Sequence, residues 1–203
     1  MVRQQQFTRE DIVRAGVQVA ETGGLGRLSA RAVAVQLGSS TAPVYSNFRN
    51  MVQLEEAVRD AALQLLLQQV RSSRTHSRFL DMGVGVLQFA LDRPRLYEAL
   101  FLNSPQWCDQ VMLRFHDIVG ELPELSVLDP FERGLVLKKM AVFTHGLAVE
   151  ICGGRARTTD LRMLTLLMAE VGRAVLADAM AAATRPAQER LLLEPFCASG
   201  QKP

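Results

Sequence analysis

Six side chains able to hydrogen-bond at short range, Ser39, Ser40, Thr41, Tyr45, Ser46 and Asn47, crowd into the stretch LGSSTAPVYSNFRNM at residues 37–51. Serine, threonine, proline and asparagine are poor helix-interior residues, yet helical patterns flank this stretch on both sides. Catalysis is not the chemistry they suggest. No nucleophile, base and orienting acid are grouped in the chain, there is no phosphate-binding glycine loop, and neither HExxH nor ExxH occurs. An enzyme is therefore not expected. Short donors and acceptors suit phosphate oxygens and base edges instead. Residues 1–50 hold Arg3, Arg9, Arg14, Arg27, Arg31 and Arg49 against Glu10, Asp11 and Glu21, which leaves +3 in a chain whose total is +2. A solvated surface and an electrostatic footprint for nucleic acid explain that excess equally well. Seen alone, a Gly-Ser-Ser-Thr run between helices is more often a plain loop.

The elements that must hold these residues decide between the readings. Thr8-Arg9-Glu10-Asp11 has the form of a capping box, after which Ile12, Ala15, Val19 and Ala20 recur at helical spacing up to Gly23-Gly24. Ser29 can cap a second short helix that Gly38 ends. Ser40 or Thr41 can cap a third, with Pro43 tolerated in its first turn, and Asn50 precedes a long fourth. Two helices crossing at close range need a small residue at the contact, a glycine of positive φ in the turn and an apolar residue facing back. Ala34, Gly38 and Val44 stand at the fifth, ninth and fifteenth positions of such a helix-turn-helix counted from Ala30. A recognition helix is chosen for close approach rather than propensity, which accounts for the composition of residues 37–51. Val44 and Phe48 are expected in the core.

The pattern RLSARAVAVQLGSSTAPVYSNFRNM resembles the DNA-binding domain of TetR/AcrR-type transcriptional regulators over residues 7 to about 60. FTHGLAVEICGG at 143–154 is similar to a stretch on the penultimate helix of many members. The resemblance implies a homodimer whose subunits join an N-terminal DNA-reading domain to a C-terminal domain for a small effector. Carried onto this chain, Ser29, Arg31, Ser39, Ser40, Thr41, Pro43, Tyr45, Ser46, Asn47 and Arg49 become the DNA-facing residues. Two positions depart from the family pattern. Met51 replaces the common lysine that grips a phosphate, so Arg49 is the candidate to take that contact. Pro43 replaces a residue that often bears a hydroxyl, although its ring can meet a thymine methyl.

Beyond residue 74 the pattern stays helical, so the fold class is all-α. Segments are expected at 79–91, after Pro94 and Pro105, from Asp129-Pro130 to Gly153-Gly154, and from Thr159-Asp160 to about Ala183. The last two long helices carry apolar residues on two sides and small ones such as Gly146, Ala148, Gly172 and Ala177. They are read as the homodimer interface, with a monomer having two central helices as the alternative. Phe79, Met82, Phe89, Phe101, Trp107, Met112, Phe115, Met140 and Phe143, with His116 as a polar group, are candidates to line a pocket for an apolar or aromatic effector. Plain core is the alternative for each. His145 is read as interface packing.

The organisation expected is a DNA-binding domain at 1–52, an effector-binding and dimerisation domain at 53–184 and a partly ordered tail at 185–203. Cys108, Cys152 and Cys197 are odd in number and widely spaced, which argues against a disulfide framework or a metal site, and no cofactor is implied. No membrane span or signal peptide is legible, and a cytoplasmic protein is expected. The function expected is a dimeric DNA-binding regulator, a repressor released from its double-stranded operator by a small molecule. An all-α protein-interaction adaptor is the alternative.

Overall fold

The computed structural model describes residues 7–181 and 186–197, and all regular structure among them is helical. In chain order the helices are α1 (Arg9–Gly23), α2 (Ala30–Leu37), α3 (Ala42–Asn47), α4 (Met51–Arg71), α5 (Arg78–Asp92), α6 (Pro94–Phe101), α7 (Pro105–Gly120), α8 (Pro130–Cys152), α9 (Leu161–Ala181) and α10 (Ala187–Cys197). None of them is long and apolar enough to cross a membrane.

The starts of these helices follow from the orphan amides of a first turn. Thr8 Oγ1 accepts from the Asp11 amide at 3.2 Å while Asp11 Oδ2 accepts from the Thr8 amide at 3.0 Å. The Thr8 hydroxyl also donates to Asp11 Oδ2 at 3.0 Å, and the two donations to the carboxylate, first from the backbone amide and then from the hydroxyl, hold it below its ordinary range. Ser29, Asn50, Ser77 and Asp129 likewise accept from amides three residues on. Pro94, Pro105 and Pro130 open their helices where a missing N–H costs nothing.

α4 lies between α1 and α5 and so buries two rows: Leu54, Val58, Ala62, Leu66 and Val70 in one, Leu63 and Leu67 beside it. Ala61 and Leu65, which also stand at helical spacing from Leu54 and Val58, are only half-buried. α5 packs in turn on α4, α8 and α9. Its approach to α4 is close because residue 85 is glycine, where a Cβ would lie 2.5 Å from the Gln69 carbonyl oxygen.

α6 touches α1, α4, α5, α7 and α8. Arg93, just before it, pairs with Glu21 of α1 at 2.7 Å. Arg59 of α4 is buried, pairs with Glu55 at 2.9 Å and donates to the Ala99 carbonyl. The amides of Leu102 and Asn103 both turn to the Glu98 carbonyl, so Ala99 lacks its helical donor and the guanidinium replaces it.

The buried cluster is continuous from Ile12 to Ala179, crossing the expected domain boundary at residue 52 through α1, α4 and α6. Residues 187–197, expected in a partly ordered tail, form α10 packed on α8. Residues 182–185 and 198–203 of that region lie outside the described residues. On α8, Leu135, Val136 and Met140 are buried, whereas Val142, two turns on from Leu135, is 62% exposed. On α9 the buried face is Leu164, Met168, Gly172 and Ala179, and Met163, Leu166, Leu167 and Ala174 turn outward.

Candidate functional site

Two regions gather side chains able to meet a partner. The first is the turn between α2 and α3. Gly38 stops α2 in the left-handed conformation at φ +63°, its N–H bonded back to Ala34 and Val35. The Ser39 amide also returns to the Ala34 carbonyl at 2.9 Å. A side chain at 38 would be strained there, which is why glycine fits. Thr41 is the N-cap residue of α3 but makes no side-chain capping bond, and the Ser40 hydroxyl accepts from the Ala42 amide at 3.4 Å. Pro43 sits in the first turn.

Ala34, Val44 and Phe48 are buried, joining α2 and α3 to the core as their spacing predicts. The opposite side of α3 faces out, with Tyr45 60% exposed and Ser46 beside it. Ser46 and Asn47 donate to the Ala42 and Pro43 carbonyls at 3.0 and 2.9 Å, and Ser39 donates to the Ser40 carbonyl at 2.9 Å. These groups keep their oxygens as acceptors.

Ser29 caps α2, Arg31 stands in its first turn and Arg49 follows α3, and all three are exposed. Neither arginine side chain has a carboxylate partner among the described residues. Residues 22–54 contain no acidic side chain at all, a signal the charge count over residues 1–50 dilutes. Arg9 acts within the fold instead, donating to the Asn47 carbonyl at 3.1 Å and lying 4.0 Å over the Phe48 ring, where it closes the C-terminal end of α3. Met51 packs against the core, so its side chain belongs to the fold rather than to the face.

The second region is a cavity of about 170 Å³ between α5, α6, α7 and α8. Of the residues singled out from sequence, Phe79, Met82, Phe101, Met112, Phe115 and Met140 line it. Phe89 and Trp107 are buried in the core outside the lining, and Phe143 packs on the core along the side of α8 that carries Leu147 and Ile151. His116 is exposed on α7 and does not line the cavity. The reason is helical phase: Cys108, Met112, Phe115 and Val119 form the cavity stripe of α7, and His116 lies about 70° off the centre of that stripe, beyond Met112 on its solvent side.

The imidazole in the wall is His145, whose Nδ1 lies 2.8 Å from the Tyr97 hydroxyl. Tyr97 stacks on Phe101 with ring centroids 4.5 Å apart. Burial drives the Tyr97 phenol far above its ordinary range and pushes His145 below its own, so the pair is neutral at pH 7. A phenol is the stronger donor and an imidazole nitrogen the stronger acceptor, so the O–H donates to Nδ1 and the ring proton sits on Nε2. Lys138, Ala141 and Val142 of α8, Thr144, and Cys108 of α7 also reach the cavity. Burial raises the Cys108 thiol, the Asp109 charge adds to that, and Lys138 opposes it. No cluster of three His, Cys, Asp or Glu able to hold a metal occurs among the described residues.

Sequence reasoning missed His145 because a lone histidine in an apolar helix is usually packing. The available signal was the spacing of Lys138, Ala141 and His145, which share one side of α8 with Leu137 and Thr144. Comparison with models of known protein families finds no match, and none is found among curated proteins.

Proposed function

We propose that this chain is a dimeric DNA-binding transcriptional regulator, a repressor released from its operator by a small apolar or aromatic effector. The observation that carries the reading is the face of α2 and α3: Tyr45 and Ser46 exposed, Arg31 and Arg49 without carboxylate partners among the described residues, and no acidic residue from 22 to 54. Such a face repels cations and attracts phosphates. The resemblance of residues 7–60 to TetR/AcrR-type regulators supports the assignment of α2 and α3 as a helix-turn-helix, with α3 entering the major groove. Ser29, Ser39, Ser40, Thr41 and Asn47 then serve phosphates, and Pro43 and Tyr45 approach the bases or the backbone.

Release follows from linkage. An effector that prefers the form whose recognition helices are wrongly spaced lowers DNA affinity by the same coupling energy. α6 is the natural lever, since it brings Tyr97 and Phe101 to the cavity and also holds α1 through Arg93–Glu21 and α4 through Arg59.

The test is fluorescence anisotropy on DNA from upstream of the gene, with unrelated competitor DNA and a salt series. Binding that resists competitor is expected. Arg31→Gln and Arg49→Gln should each reduce the slope of log K against log salt by roughly 0.9 for every phosphate the arginine had neutralised. Tyr45→Ala should weaken binding about tenfold. Absence of binding to any DNA at low salt would remove the regulator reading.

The adaptor reading has one observation in its favour. Val35, Tyr45 and Val52, on α2, α3 and α4, are 74%, 60% and 63% exposed, an apolar presence suited to a protein partner. It predicts that the arginine substitutions leave binding partners unaffected while Val35→Asp loses them.

A further inference from the structure

We propose that the cavity takes a one-ring aromatic carboxylate, with its ring among the aromatic and thioether side chains and its charge answered by Lys138. This assignment rests on the regulator reading only in calling the ligand an effector; the cavity stands without it.

Size comes first. An apolar cavity of about 150 Å³ is large enough for benzene, and the volume here is about 170 Å³, so one ring and a short substituent fill it. The lining supplies polarizable partners for a ring: Phe79, Tyr97, Phe101 and Phe115, with Met82 and Met112 between them. The mouth is marked by the two exposed lining residues, Lys138 and Val142, one turn apart on α8.

Charge then selects among one-ring compounds. No aspartate or glutamate lines the cavity, and the Lys138 ammonium has no carboxylate partner among the described residues, its neighbour Lys139 being the one paired, with Asp178. A cation meets repulsion at the mouth, whatever the rings offer it. With the Tyr97 proton committed to His145 Nδ1, the remaining donor of the pair is Nε2–H, which an acceptor oxygen can use and an ammonium cannot. An exposed lysine at the mouth without a carboxylate partner among the described residues and an imidazole N–H in a mostly apolar wall fit an anion with an aromatic body.

Isothermal titration of the purified full chain with phenylacetate, phenylacetamide and phenethylammonium tests this, because the three share size and differ in charge. Phenylacetate is expected to bind at least tenfold more tightly than the amide, and the ammonium not at all. Lys138→Met, at an exposed position, should bring phenylacetate down to the affinity of the amide and leave the amide unchanged. Equal binding of acid and amide, a Lys138→Met protein that keeps the preference, or no binding of any of the three would overturn the proposal.

The same samples carried onto operator DNA keep the two readings apart. Acid binding without any DNA binding sinks the regulator reading and leaves the cavity assignment standing. Intact DNA binding without acid binding does the reverse.

Discussion

Tyr97 buries a phenol whose hydrogen-bond partner among the described residues is a half-buried imidazole, and the two sides of that bond differ in what their loss leaves behind. His145→Leu strands a fully buried hydroxyl, which costs about 1–3 kcal/mol. Tyr97→Phe removes the polar group and keeps the stacked ring, while the imidazole reaches water through the cavity. Urea unfolding should therefore rank His145→Leu as the more destabilising change, and the reverse order would refute O–H donation to Nδ1 as the purpose of the pair. A second residue-scale prediction concerns Cys152, whose thiol burial, helped by the Glu98 charge, pushes up to about 11 from 9.0. The folded chain keeps that proton after the unfolded chain has lost it. Stability from this source is complete below about pH 9 and is lost as pH rises toward 11. Compared over that window, the wild type should lose stability faster than Cys152→Ala; parallel curves would show that the thiol is not buried as described. Residue roles of this kind were only partly legible in the sequence. Phe115 and Met112 could be placed by apolar type, but His116 and His145 are the same letter, and only the phase of α7 and α8 separates a solvent histidine from a wall histidine.

At the scale of elements, most boundaries could be read because they are written in caps: Thr8, Ser29, Asn50, Pro94, Pro105, Pro130 and Gly38 all stand where a backbone group needs them or lacks a partner. What could not be read was how many neighbours a helix has. α4 shows one apolar stripe by spacing and buries two rows because α1 and α5 enclose it, and α10 has too weak a period to announce itself. Gly85 tests the tightest of these contacts. A methyl at 85 would meet the α4 backbone at Gln69 and Val70 with contacts of 2.5 and 2.7 Å, and backbone cannot step aside as a side-chain end can. Gly85→Ala should destabilise the chain by about 1–3 kcal/mol despite its better helix propensity, because overpacking exceeds the gain of about 1 kcal/mol. Thermal unfolding of the variant checks this, and a stabilised protein would mean that α5 stands farther from α4.

At the scale of the whole molecule, α9 carries an apolar surface that its own core does not cover. Met163, Leu166 and Leu167 project from α9 opposite its buried Leu164 and Met168, with Leu166 71% exposed, and Ala174 and Ala177 continue outward along the helix. A helix that is apolar on both sides needs a neighbour on both sides. In the proposed regulator that neighbour is the same helix of a second copy, packed with α8 about a two-fold axis, since an isologous contact presents identical stripes to one another. Two α3 helices joined this way can reach successive major grooves about 34 Å apart, whereas one subunit can read only half of an operator. Leu166→Glu places a charge at the centre of that contact without touching the core of the subunit. Sedimentation should find the wild type dimeric and the variant monomeric with unchanged helix content. Operator affinity should then fall at least a hundredfold, because the second half-site no longer benefits from the tether. The cavity, which is built within one subunit from α5 to α8, should bind its ligand as before. A variant that stays dimeric moves the interface elsewhere. A wild type that is monomeric yet reads its operator tightly would remove the symmetric dimer from the mechanism altogether, because release by respacing two recognition helices requires that there be two.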